Sequence, residues 1–213
     1  MKEDDLIPLS SVVKEALWGG DQLKSYLHLD TKFENVSEVW AISAIKNNES
    51  IVLEGNYKFY TLSQLYEENP KIFGYYPQKD FPILLKFIDT NKDLSIQVHP
   101  NDLYAKAHGL SSGKEEMWYI IKTDEFAKIL IHHDFSSKTD LMNAIRDNTL
   151  LKHLNYEFTY PGETYYISPG TIHAIGAGNL LYESQHTVDV TFRLYAYDRL
   201  DSNGNKRDLH INE

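Results

Sequence analysis

The chain has no cysteine among its 213 residues, which excludes disulfide staples, thiolate metal sites and a cysteine nucleophile together. Any bound metal must therefore be held by nitrogen and oxygen donors from His, Asp, Glu, Asn or Gln. Positive charge is scarce as well: 21 Lys and Arg stand against 31 Asp and Glu, a formal net charge of -10. A nucleic-acid partner is disfavoured, because binding a phosphate backbone depends on cations that release its counterions. Long apolar runs are missing. Nothing approaches the roughly 20 residues that span a bilayer, and the short run 82–88 is interrupted by Lys86. The N-terminus, Lys2 followed by Glu3, Asp4 and Asp5, has neither the basic nor the apolar region of a secretory signal. The expected location is cytoplasmic, away from membranes. Low-complexity stretches and internal repeats are also absent.

What is present is enough apolar residue, 42% of a 24.7 kDa chain, to fill one core, and the expectation is one domain over 1–213. Aromatics make up 13%, with 15 Tyr, and short β-branched runs alternate with Gly, Pro and Asn clusters. That pattern predicts an all-β domain with a few short helices. Strands are expected at 39–45, 95–99, 117–121, 128–132, 157–160, 164–167, 180–185 and 188–197. Few helices separate them, so antiparallel pairing in a sandwich or jelly-roll barrel follows. One helix should start near Thr61, whose hydroxyl can cap it, and end at Pro70. Another should follow Ser136-Ser137-Lys138-Thr139, with Leu141, Ala144, Ile145 and Leu151 close to helical spacing. Asp201-Ser202-Asn203-Gly204-Asn205 reads as a hairpin turn, since Asn-Gly tolerates positive φ, with one short strand after it.

Chemistry concentrates in three segments. In Leu94-Ser95-Ile96-Gln97-Val98-His99-Pro100, alternation sends Ser95, Gln97 and His99 to one face and the apolar residues to the other. That polar face either meets solvent or lines a cavity where a metal would satisfy Gln97 and His99. In Gly113-Lys114-Glu115-Glu116-Met117-Trp118, a carboxylate enters an apolar strand, as surface strands also do. In Ser168-Pro169-Gly170-Thr171-Ile172-His173-Ala174, a Pro-Gly turn delivers an imidazole into a new strand, where a core role competes with a ligand role. Singly each is weak. Together Gln97, His99, Glu116 and His173 form a nitrogen and oxygen donor set compatible with one zinc ion per chain. His108, His132, His133, His153, His186 and His210 lack such framing, and the neighbours His132 and His133 would point to opposite strand faces.

Gln-Val-His-Pro, Gly-Lys-x-Glu and Pro-Gly-Thr-x-His-Ala occur here in an order that resembles type I mannose-6-phosphate isomerases (phosphomannose isomerases). The resemblance begins at Trp18-Gly19-Gly20, runs through Leu84 to Asp89, and continues through Leu181-Tyr182-Glu183 to Asp198-Arg199. It implies a cupin jelly-roll barrel (a double-stranded β-helix), zinc held by Gln97, His99, Glu116 and His173, and interconversion of mannose 6-phosphate and fructose 6-phosphate. The small-molecule partner it implies is a hexose phosphate. Arg193, mid-strand with Asp189 and Thr191 on its polar parity, becomes catalytic, with Glu183 and Lys114 as companions. A structural Arg193–Asp189 pair is the simpler alternative. Glu183 is the candidate base, Lys114 a proton-handling or oxygen-orienting group, Lys86 and Ser95 phosphate contacts, and Trp18 a wall of the pocket. The pattern departs at Ala196, where an acidic residue commonly stands. Family members usually continue into a second, smaller β-domain, whereas this chain stops at Glu213. Self-association through the uncovered face is the expectation that follows. Two rival functions are a non-catalytic sugar-phosphate sensor and an Fe(II) oxygenase, which Gln97 and Arg193 argue against.

Overall fold

The computed structural model describes residues 6–200 and 204–211. Its strands are β1 (Val12–Gly20), β2 (Val36–Ile42), β3 (Ile83–Asp89), β4 (Ile96–Val98), β5 (Glu116–Thr123), β6 (Lys128–His133), β7 (Leu154–Phe158), β8 (Thr164–Ile167), β9 (Ala174–Ile175), β10 (Asn179–His186) and β11 (Phe192–Tyr195). The α-helices are α1 (Gln22–Tyr26), α2 (Leu62–Glu68), α3 (Asp102–Ala107) and α4 (Lys138–Arg146). All strand pairs are antiparallel. One sheet of six runs β1-β2-β3-β10-β5-β8. The pair β11-β4 and the three strands β7-β6-β9 join through a bridge between Gln97 and His173 into a second sheet. This is the all-β cupin jelly roll with a few short helices.

The core lies in layers. Between the sheets Ile88, Trp118, Ile120, Ile129, Ile167, Ile175 and Leu181 pack together. Behind the second sheet, Ile96, Leu130, Ile172 and Leu194 meet Leu141 and Ile145 of α4. Behind the first, Val39 and Leu180 meet Leu23 of α1. The apolar parity of β4 thus feeds the α4 layer with Ile96 and Val98. Leu94, just before the strand, departs from that parity and packs inward against the central cluster.

Local signals account for the helices. Thr61 and Gln64 form a reciprocal capping box on α2, and Pro70 opens a 3-10 turn beyond it. Ser137 caps α4, and Asn101 caps α3, a helix the pattern did not announce. The strand expected at 39–45 begins earlier and ends at Ile42, because Ser43 turns to exchange hydrogen bonds with Ser50. The strand expected at 188–197 is regular only from Phe192. Before it, the Gln185 amide donates to the carbonyls of His186 and Val188 and holds a turn. The hairpin at 201–205 falls partly on residues outside those described, and Leu200 bridges Lys206 across it.

Candidate active site

Strand register assembles the site from rows of side chains. Across the inner face of the six-stranded sheet, successive register partners are Trp40, Lys86, Glu183 and Trp118. The next row is Ile88, Leu181 and Ile120, so polar chemistry stops one residue pair from the core. Facing it, the second sheet contributes Arg193, Gln97 and His173, also register partners. Between them lies a cavity of about 380 Å³ lined by Trp18, Lys86, Ser95, Gln97, Lys114, Glu116, Glu183 and Arg193 among others. His99 and His173 are buried behind this lining, 2% and 0% exposed.

Two glycines make the local approach possible. Gly170 occupies φ +84 in the turn Ser168-Pro169-Gly170-Thr171, closed by Thr171 N–H donating to the Ser168 carbonyl, and its own N–H donates to the His99 carbonyl. The turn thereby fixes His173 near His99. Gly113 lies against the backbone of Asn101, where a Cβ would come within 2.6 Å of the Asn101 carbonyl carbon. Lys114 N–H then donates to the Pro100 carbonyl, which places Lys114 and Glu116 beside the end of β4.

His99, Glu116 and His173 each offer a donor atom within 4.8 Å of the others. His99 Nε2 is 3.2 Å from Glu116 Oε1, and His173 Nε2 is 3.7 Å from Glu116 Oε2. Both nitrogens of His99 and Oε2 of Glu116 are buried without a hydrogen-bond partner. Burying such groups unpaired costs about 1–3 kcal/mol each, so they are the arrangement a cation would satisfy. His173 Nδ1 lies 2.9 Å from the Thr171 carbonyl, which can only accept, so the proton sits on Nδ1 and Nε2 keeps a free lone pair. Gln97 Nε2 lies 3.1 Å from that Nε2, and a half-turn of the amide would present Oε1 instead. Burial lowers His173 to about 4 and lowers His99, keeping both neutral and able to ligate near pH 7. Burial alone would raise Glu116, but the ammonium of Lys114, 2.7 Å away, is the largest influence holding it well below the usual carboxylate range. A neutral-imidazole and carboxylate set of this kind fits a divalent metal ion.

Beyond the ligand cluster, Glu183 Oε2 accepts from Trp118 Nε1 at 2.9 Å, and Oε1 is 3.0 Å from Lys86 Nζ. Burial, then the charge of Glu116, raises Glu183 against the opposing pull of Lys86. Lys86 is itself held protonated: burial would lower it, but Glu183, Glu38 and Glu116 outweigh that. Arg193 donates through Nε to Ser95 Oγ at 3.3 Å and through NH1 to the Asp208 carbonyl at 2.8 Å. No ion pair joins it to Asp189 among the described residues. Every residue nominated from the sequence lies at this cavity or directly behind it. Reading the sequence missed Lys14, Glu38, Trp40 and Arg207, which also line it. The alternation of Glu38 and Trp40 on β2 was the available signal, but nothing local said which face was inward.

Comparison with known proteins agrees with this geometry. Residues 6–127, more than half of the chain, match the family described as phosphomannose isomerase type I, catalytic domain. The mannose-6-phosphate isomerase ManA of Bacillus subtilis is 40% identical over 201 residues, 94% of this chain and 64% of that protein. The mannose-6-phosphate isomerase of Streptococcus mutans is 40% identical over 205 residues, 96% of this chain and 65% of that protein. The crystal structure of a mannose 6-phosphate isomerase from Bacillus subtilis superposes with a TM-score of 0.93 at 42% identity, covering 96% of this chain and 66% of that one. The chain thus spans a little under two thirds of the length of these relatives. With the motifs in order, the sheets superposed and the donor cluster at their centre, the chain belongs to the type I phosphomannose isomerase catalytic-domain family.

Proposed function

We propose that the chain is a zinc-dependent aldose–ketose isomerase that interconverts mannose 6-phosphate and fructose 6-phosphate in the cytoplasm. The carrying observation is one cavity in which the row Arg193, Gln97 and His173 faces the row Lys86, Glu183 and Trp118. Relatives at about 40% identity that bear the isomerase name support the substrate. Gln97, His99, Glu116 and His173 would hold zinc, and its chemistry when bound is to polarise sugar oxygens as a Lewis acid.

The rest falls to the chain's own side chains. Isomerisation moves a proton between C2 and C1 through an enediol. Glu183 takes that proton and returns it, with Trp118 holding Oε2 and Lys86 beside Oε1 at the cavity wall. Its raised pKa makes it a stronger base once ionised. Lys114 orients a sugar oxygen, and Arg193 sets fixed positive charge where the enediolate develops. Trp18 walls the cavity, while Lys86 and Ser95 bound the space the sugar phosphate fills. The test is a coupled assay for fructose 6-phosphate on purified, zinc-loaded protein given mannose 6-phosphate. Turnover supports the reading. Tight binding of mannose 6-phosphate without turnover would replace it with a sugar-phosphate sensor, and iron found by metal analysis with no isomerisation would replace it with an oxygenase.

A further inference from the structure

Most of the positive charge in the cavity is already answered. Lys86 pairs with Glu183 at 3.0 Å and approaches Glu38 at 4.0 Å, and Lys114 pairs with Glu116 at 2.7 Å. Lys14 lies 4.7 Å from the Trp40 ring centroid and donates to Asn48. Arg193 spends Nε and NH1 on Ser95 and the Asp208 carbonyl, which leaves three of the N–H donors of its guanidinium. Arg207 is different. It lines the same cavity, is half-buried, and has neither a carboxylate nor a hydrogen-bond acceptor among the described residues.

Two of its charged neighbours, Arg199 and Arg193, are like charges. Burial and the charge of Arg199 lower Arg207, and burial and the charge of Arg207 lower Arg193 against the opposing pull of Asp208. Converging guanidiniums in a partly desolvated corner are unfavourable until an anion joins them. The corner is also built to stay in place. Residues 208–210 flank β11: His210 N–H donates to the Arg193 carbonyl at 2.8 Å, Arg193 N–H donates to His210 Nδ1 at 3.1 Å, and the Arg193 side chain clamps the Asp208 carbonyl. Arg193 therefore anchors the segment that delivers Arg207. Along the row, β11 lies two strands from His173, roughly 10 Å at normal strand spacing. Arg207, beyond β11, is at the end of the cavity away from the imidazoles. A hexose with its reacting carbons near the ligand cluster would carry its sixth carbon toward that end.

We propose that Arg207, delivered to the cavity by the segment that Arg193 anchors, is the residue that receives the phosphomonoester of the substrate. The sugar's identity rests on the isomerase reading, but the anion site does not. A guanidinium offers paired N–H donors to phosphate oxygens, a geometry that the lysines of this cavity cannot supply.

The experiment compares zinc-loaded wild type, Arg207→Gln and Arg207→Lys. It measures kcat and KM for mannose 6-phosphate, calorimetric affinity for inorganic phosphate, thermal midpoint and metal content. Arg207→Gln should raise KM and the phosphate dissociation constant by roughly tenfold or more while kcat stays within about twofold, because phosphate is held alike in ground and transition states. Arg207→Lys should recover part of the loss by restoring charge without the paired donors. Unchanged KM and unchanged phosphate affinity in a folded Arg207→Gln protein would overturn the proposal. If that variant fails to fold, Arg207→Lys decides: weaker phosphate binding supports the site and wild-type affinity overturns it. A wild type without isomerase turnover whose phosphate affinity still depends on Arg207 would keep the anion site and sink the isomerase reading.

Discussion

Glu183 and Lys86 are register partners on β10 and β3, both nearly inaccessible, and each sets the protonation of the other. Burial raises the carboxyl and the ammonium pulls it back. If Glu183 is the base, activity declines as pH falls through its pKa. Removing the ammonium in Lys86→Met should raise that pKa further and move the acidic limb of the pH–rate profile to higher pH. A limb that stays in place would separate Lys86 from the tuning of the base. Arg193 is expected to act on the chemical step. Arg193→Ala should lower kcat by about a hundredfold, the scale of losing one preorganised donor, with metal content unchanged. Normal kcat in that variant would leave Arg193 the structural role of clamping Asp208.

At the scale of elements, the site depends on turns more than on helices. Gly113 lies so close to Asn101 that Gly113→Ala must push apart the α3 cap and the segment leading into β5. The same segment carries Lys114 and Glu116, so this variant should lose both stability, by about 1–3 kcal/mol as overpacking typically costs, and metal affinity. The contrast is α2, whose capping box is remote from the cavity. Thr61→Ala should cost about 1 kcal/mol in denaturant unfolding and leave kcat and KM unaltered. Equal effects of the two substitutions on metal affinity would contradict the assignment of Gly113 to site geometry.

For the whole molecule, the buried imidazoles link stability to pH and to metal. His173 is lowered to about 4 in the fold from 6.5. Between those values the unfolded chain binds a proton that the folded one refuses, so stability of chelator-treated protein falls as pH drops from 6.5 to about 4. The loss from this group is up to about 3 kcal/mol. His99 and Glu116 are also lowered and act in the same direction, whereas Glu183 is raised and loses its contribution as pH climbs. A metal that binds only the folded state should raise the thermal midpoint near pH 7. His173→Ala should abolish that rise. His132→Ala should preserve it, since His132 is exposed beside Glu157. A full metal-induced rise in His173→Ala would remove this residue from the ligand set.

What the sequence determined by itself is local. The lack of cysteine limited any metal site to nitrogen and oxygen donors, and alternation put Gln97 and His99 on one face of a strand. The Pro169-Gly170 turn, the Thr61 cap and β8 are likewise decided by a few neighbouring residues. What only the tertiary structure decided is pairing over long separations. Lys86 meets Glu183, and Arg193 meets Gln97 and Ser95, because antiparallel register aligns strands about a hundred residues apart. β1 was not legible, since shifts in its register with β2 at Lys14, Glu15 and Gly20 break the alternation that marks a strand. Arg207 was not legible either. Its sequence surroundings are polar and exposed, and what places it in a cavity, with no carboxylate partner among the described residues, is the hydrogen bonding of residues 208–210 to β11. Periodicity reports which way a side chain points from its own backbone, whereas a site is defined by what lies opposite, and that is settled by strand register and the closing of two sheets.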